Sequence, residues 1–338
     1  MTPPALAPLF RLNRRAVMAA GMLMTAAPFT FAQGMSPAAA WPSKPLRIIV
    51  GFPAGSSPDL TARAIAEPLS QRLGQPVIVE NKVGAGGNIG ADAVAKATDE
   101  HTIGLMINGN MTIARLVNPK TAYDPLKDLA PISLIGTAPL VLAAPVNVGG
   151  TGSADAFLAT ARTAGDKWNY GTPGVGTVGH LGMELLKAKS GIHPVHIPFP
   201  GYAQVFNSML GGQIELALLP PALVAQQVKA GKLKAIGVTS AGRSSLMPEV
   251  PSLGELGIRG FQLEIWNGLA APASMPRARI DRLSGLVSEI VRAPEMRQRL
   301  FNQGWVVVGS SAEGLANRVR SDTAVMGALI QAQGIRAE

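Results

Sequence analysis

From Trp41 onward one unit repeats along the chain: a short run rich in β-branched residues, a loop of Gly, Pro and Ser, then a segment with apolar residues at helical spacing. Residues 46–52 read as a buried strand and residues 53–58 as a loop. Leu60, Ala64, Ile65, Leu69 and Leu73 then fall on one helical face. Pro68 is expected to kink that helix and Gly74 to end it. The unit recurs as a strand at 76–80, the loop Gly84-Ala85-Gly86-Gly87, a helix from about 89 to 97 and a strand at 102–107. It restarts with helices at 154–164 and up to 189, and with strands at 168–170, 196–199, 214–219 and 233–239. Such a rhythm calls for an α/β fold whose parallel-rich sheet is covered on both faces.

The run from 129 to 148 is very apolar, but Pro131, Pro139 and Pro145 interrupt it, so two strands passing between lobes fit better than a spanning helix. A second apolar return lies at 266–271. Two helical patterns, 278–291 and 313–331, and a short strand at 305–308 make up the tail. The plan is discontinuous: residues 41–140 plus 264–338 form a first lobe, and 141–263 a second.

The N-terminus sets the compartment. Arg11, Arg14 and Arg15 precede an apolar stretch from Ala16 to about Ala32 with no acidic residue before it, the pattern of an export signal spanning residues 1–32 and cut near Ala32. Gly21 and Pro28 break the stretch, and it is short for a membrane span. The route, general or twin-arginine, stays open. Removing the leader takes away three arginines and lowers the formal charge from +9 to +6, so the mature chain stays basic. Its Lys and Arg are scattered without the aromatic interleaving of nucleic-acid modules, which favours anionic solutes over nucleic acid. With no cysteine, thiol catalysis, thiolate metal sites and disulfides are all excluded.

Three strand-to-helix loops are rich in Gly, Ser and Thr: residues 53–59, 84–90 and 171–177. A helix start carries unpaired N–H groups and the positive end of the helix dipole, and glycine lets a ligand approach the backbone, so an anion suits such places. Plain turns and caps explain the same residues. Ser57 before Pro58 reads as a helix N-cap, and Asp59 as satisfying its own helix start. The 84–90 loop lacks the spacing and the later acid of a dinucleotide fingerprint. No nucleophile elbow or histidine metal pair is present, so neither cofactor nor metal is expected. His180, in the first turn after the third loop, is either a cap or a ligand contact.

At these loops the chain resembles the tricarboxylate-type periplasmic binding receptors first known as Bordetella uptake proteins. The resemblance rests on Trp41-Pro42-Ser43-Lys44-Pro45, Phe52-Pro53-Ala54-Gly55, Asp59-Leu60-Thr61-Ala62-Arg63 and the segment from Glu80 to Gly90. It continues through Gly174-Val175-Gly176-Thr177, His180-Leu181, Pro248-Glu249-Val250-Pro251-Ser252 and Trp266-Asn267-Gly268. It covers residues 41 to about 310, and its strength lies in the order of many short motifs. It implies a type II-like two-lobed binding protein: two mixed sheets flanked by helices, joined by two crossover strands, with a carboxylate held between them. The implied contacts are Phe52, Pro53, Ala54, Gly55, Ser56, Ser57, Asp59, Asn108 and Asn110 in the first lobe. In the second they are Thr172, Gly174, Thr177 and His180. The chain departs from the family pattern at Gly55-Ser56-Ser57-Pro58, where two glycines are usual, at Pro198-Phe199-Pro200-Gly201, and at Glu215 in place of Asp.

The expectation is therefore an exported, monomeric, non-enzymatic solute-binding protein of the periplasm. Its partners would be a small organic carboxylate and the integral-membrane subunits of a tripartite tricarboxylate-type transporter. A periplasmic sensing subunit for a membrane kinase, or a hydrolase-like enzyme on the same scaffold, are the alternatives.

Overall fold

A computed structural model describes residues 41–150 and 153–335. The expected export signal and its cleavage position lie outside the described residues. The chain opens with β1 (Leu46–Val50), α1 (Ser57–Leu73), β2 (Val77–Asn81), α2 (Asn88–Ala95) and β3 (Thr102–Ile107). Two short helices, α3 (Asn108–Thr112) and α4 (Ala114–Val117), lead to β4 (Leu129–Pro139). Next come β5 (Val141–Pro145), α5 (Ala154–Ala164), β6 (Asn169–Thr172), α6 (Val178–Ser190), β7 (Val195–Pro198), α7 (Tyr202–Leu210), β8 (Leu216–Leu219), α8 (Pro221–Lys229) and β9 (Leu233–Val238). The tail holds β10 (Glu264–Pro272), α9 (Arg277–Arg292), α10 (Pro294–Asn302), β11 (Val306–Val307) and α11 (Ala312–Gln333).

These strands make two mixed sheets, ordered β11-β4-β10-β3-β1-β2 and β7-β6-β8-β5-β9. In the first, β1 runs parallel to β2 and β3, while β10 is antiparallel to β3 and β4. In the second, β6 is parallel to β7 and β8, and β5 is antiparallel to β8 and β9. Helices cover both faces of each sheet, which is why the inner strands read as continuous apolar runs, while the edge strands β2, β7 and β11 hold no buried residue. On one face of the first sheet Ile65, Leu69, Leu283 and Val287 from α1 and α9 close the core. On the other, Val94 of α2 and Leu315 and Val319 of α11 pack around Trp266. Helices α5 and α6 cover one face of the second sheet, and α7 and α8 the other. Among the described residues no helix is long and apolar enough to cross a membrane.

Helix α1 runs unbroken through Pro68, where the sequence suggests a kink, and ends at Gly74 with φ of 69°. Helix α10 was not visible in the periodicity because it is a surface helix with only Leu300 buried. Helix α11 serves both sheets: Leu315 and Val319 pack in the Trp266 core, whereas Met326, Ile330 and Ile335 join the core under α6. The Trp266 indole N–H donates to Asp322 at 2.7 Å and fixes α11 against β10.

The chain crosses between sheets at Leu140 and again before β10, and one residue ties both crossings together. The Thr239 N–H donates to the Leu140 carbonyl at 2.9 Å, and the Leu140 N–H donates to the Thr239 hydroxyl oxygen at 2.8 Å. That hydroxyl donates to the Leu263 carbonyl at 2.7 Å, while the Leu263 N–H donates to the Thr239 carbonyl at 2.9 Å. Leu140 and Thr239 are wholly buried. Replacing Thr239 by Val strands one buried N–H and one buried carbonyl, at a cost of roughly 2–4 kcal/mol. Thr239→Ser, which keeps the hydroxyl, is expected to lose clearly less in urea denaturation.

Candidate ligand-binding cleft

Between the sheets lies a cavity of about 360 Å³. The first-sheet side contributes residues 52–58 and Leu60 from the β1–α1 loop, Ile107 and Asn108, Ile265 and Asn267 on β10, and Asn302, Gln303 and Trp305. The other side contributes Pro173, Thr177 and Val178 before α6, residues 201–204 before α7, and Pro220, Ala222, Leu223 and Gln226 around the start of α8. Besides the short α3, four helices thus begin at the cavity: α1, α6, α7 and α8. Each presents first-turn N–H groups that no helical carbonyl can reach, together with a positive dipole end. Among the described residues no Lys, Arg, His, Asp or Glu side chain lines the cavity.

The β1–α1 loop is held from behind. Asp59 is 1% exposed and does not line the cavity. Its carboxylate accepts from the Gly55 N–H at 2.9 Å, from Arg63 Nε at 2.9 Å and from Asn81 Nδ2 at 2.8 Å. Asn81 also donates to the Phe52 carbonyl at 2.9 Å. Burial alone would raise the Asp59 pKa, but the hydrogen bonds from Arg63, Gly55 and Asn81 outweigh it and hold the pKa below its ordinary value. The carboxylate that would oppose an anion at this helix start is therefore turned away and neutralised. The helix cap is Ser56 rather than the expected Ser57. Pro58 sits at the second helical position, and the Ser56 hydroxyl makes no capping bond.

The expected residues divide in two. Phe52, Pro53, Ala54, Gly55, Ser56, Ser57, Asn108 and Thr177 line the cavity; Asp59, Asn110, Thr172, Gly174 and His180 do not. Asn110 donates to the Gly86 carbonyl at 3.0 Å and to Asn88 at 2.8 Å, bracing the second glycine loop. The Thr172 hydroxyl takes the Gly174 N–H at 3.2 Å and pairs with His196 Nε2 at 2.7 Å. His180 faces into its own lobe: Nδ1 accepts from the Gly176 N–H at 3.3 Å, and its ring stacks on His196 with centroids 4.4 Å apart. Tyr170 stacks on the other side of His196 at 4.8 Å and donates to Glu184, which Lys187 pairs at 2.9 Å. Sequence reasoning missed Tyr202, Gln204, Asn267, Gln303 and Trp305. Of these only Asn267 carried a signal, in Trp266-Asn267-Gly268.

Glycine loops meet across the rim. A Cβ on Gly174 would lie 3.2 Å from Gly86 Cα, and one on Gly109 would lie 3.1 Å from the Gly176 carbonyl oxygen. On the opposite rim a Cβ on Gly304 would lie 3.0 Å from the Ala222 side chain. The 84–87 loop thus packs against the 174–177 loop instead of opening on the cavity, and side chains there would prop the rims apart.

Among the described residues eight buried side-chain polar atoms have no hydrogen-bond partner, and the six of them outside ion pairs all belong to the cavity lining: Ser56 Oγ, Asn108 Oδ1, Gln204 Oε1, Asn267 Oδ1, Gln303 Oε1 and Trp305 Nε1. Buried polar atoms are rarely left unpaired, so their concentration here marks a surface built to meet hydrogen-bonding groups from outside the chain.

Two expected outcomes test this geometry. Gly109→Val keeps an ordinary helical φ but wedges the rim; amide hydrogen exchange is expected to quicken at residues 84–87 and 174–177 with the far-UV spectrum unchanged. The second concerns pH. Burial, then the neighbouring His180, lowers the His196 pKa to about 4, and burial also lowers that of His180. An unfolded histidine titrates near about 6.5. Between these values the unfolded chain binds protons that the folded chain refuses, so stability is complete above about 6.5 and falls as pH drops toward 4. Thermal melts from pH 7 to 4.5 are expected to show this slope, and His196→Gln to flatten it.

The solved periplasmic binding protein BugD is 30% identical, superposes with a TM-score of 0.82, and covers 88% of this chain and 100% of its own. MatC (Rpa3494) from Rhodopseudomonas palustris, solved with bound malate, is 28% identical with a TM-score of 0.81 over 86% of this chain and 100% of its own. Rpa4515 from R. palustris, solved with adipate, is 27% identical with a TM-score of 0.83 over 88% and 99%. The fold is that of these two-lobed binding proteins. Residues 61–335 match the tripartite tricarboxylate transporter family receptor, and the chain belongs to that family of periplasmic solute-binding proteins.

Proposed function

We propose that the chain captures a small organic carboxylate between its lobes and delivers it, without chemical change, to the membrane subunits of a tripartite tricarboxylate-type transporter. The observation that carries this reading is the interlobe cavity at which four helices begin and which, among the described residues, no charged side chain lines. Helix starts hold anions through backbone N–H groups, and a neutral lining neither repels the anion nor traps it irreversibly. Relatives of the same fold hold malate and adipate.

Contact falls to Ser56, Ser57, Asn108 and Thr177 and to the backbone of residues 52–55. Asp59, Asn110, Thr172, Gly174 and His180 act by holding those loops. Binding rather than turnover is favoured because Ser56, Ser57 and Thr177 have no general base among the lining side chains. The mature protein, freed of residues 1–32, would work in the periplasm as a monomer. It would close from an open form when a solute bridges both lobes.

A thermal-shift series on the chain from Gln33 onward, against mono-, di- and tricarboxylates, tests the reading. At 100 times its Kd a bound acid adds roughly 2.7 kcal/mol. Because the Ser56 hydroxyl caps nothing, Ser56→Ala is expected to leave the unliganded melt unchanged and to weaken the acid about two- to tenfold. A flat response to every acid from folded protein would overturn it.

A further inference from the structure

Two of the unpartnered cavity atoms cannot be turned round. The Asn108 side chain is 2% exposed, and its Nδ2 donates to the Glu264 carbonyl at 3.0 Å; the reversed amide would set oxygen against oxygen. Asn267 is wholly buried, and its Nδ2 donates at 3.1 Å to the Thr61 hydroxyl oxygen, whose own hydrogen goes to the Ser57 carbonyl at 3.0 Å. Both amides are thus oriented by their networks with Oδ1 left over. The two residues are also neighbours in the sheet: Asn267 on β10 pairs with Ile107, the residue before Asn108. Both line the cavity.

An amide carbonyl oxygen only accepts. Neither of these two, buried and fixed, can be satisfied directly by a carboxylate, since acceptor would meet acceptor. We propose that the solute carries, besides its carboxylate, a hydrogen-bond-donating group, a hydroxyl or an amide N–H, received by the side-chain carbonyls of Asn108 and Asn267. This rests on the carboxylate reading and narrows it: the preferred class is hydroxy- or amido-acids over plain fatty acids and over diacids lacking a donor. A site with buried acceptors discriminates against an analogue that leaves them unmet.

Isothermal titration of the chain from Gln33 onward with two matched sets of acids tests this. One set is hexanoate, adipate and the 2-, 3-, 4- and 6-hydroxyhexanoates; the other is benzoate and 4-hydroxybenzoate. At least one hydroxy acid is expected to bind ten- to a hundredfold tighter, roughly, than its parent acid and than adipate. In Asn108→Ala, checked for folding by circular dichroism, that preference is expected to shrink below about threefold. Parent acids or adipate binding as tightly as every hydroxy acid would overturn the proposal and leave the carboxylate reading standing. No binding by any acid would sink both. Should Asn108→Ala not fold, the wild-type ranking alone decides.

Discussion

Everything about the cleft depends on the hydrogen-bond ring around Thr239. Two chain crossings separated by about a hundred residues meet there, and one side chain satisfies both. A buried backbone group without a partner is costly, so the crossings cannot slide past each other or part without losing several such bonds at once. The connection is therefore strong along the chain. It can still allow rotation, because only a few residues at element ends need change their φ and ψ. The two sheets are tied together there, and at the rim glycine meets glycine.

That rim explains glycines that do not themselves line the cavity. Gly86, Gly109 and Gly174 bring backbone close to backbone, an approach that a Cβ would crowd. The loops that do face the cavity work differently. They place helix starts around it, while the charges needed to organise them, Asp59 with Arg63 and Glu184 with Lys187, sit behind the loops. Fixed partial charges inside and paired full charges behind give a site suited to an anion.

Much of this was legible in the residues. The strand–loop–helix rhythm located nearly every element, and α5 fell at residues 154–164 as read. Apolar periodicity reports burial, and burial on both faces is what the inner strands have in common. Where burial was slight, as in α10, the pattern carried no signal. The three Gly-rich loops were recognised as helix starts, but not their division of labour. Ser56 and Ser57 are equally good caps by composition, and only the path of the loop decides which one caps. His180 looked equally suited to ligand and core; the stack with His196 and Tyr170 turns it inward.

The sequence by itself determined the α/β class, the recurrence of helix starts fit for an anion, and the absence of thiol chemistry, because these follow from local spacing and residue type. Only the tertiary structure decided which loops share a cavity, that the glycines at 86 and 174 touch across the rim, and that Asn108 and Asn267 are each left with an unpartnered carbonyl oxygen. Those facts depend on pairings between residues up to 206 positions apart, such as Thr61 with Asn267. Propensity and periodicity act over a few turns of chain, and nothing in them specifies a partner at that range.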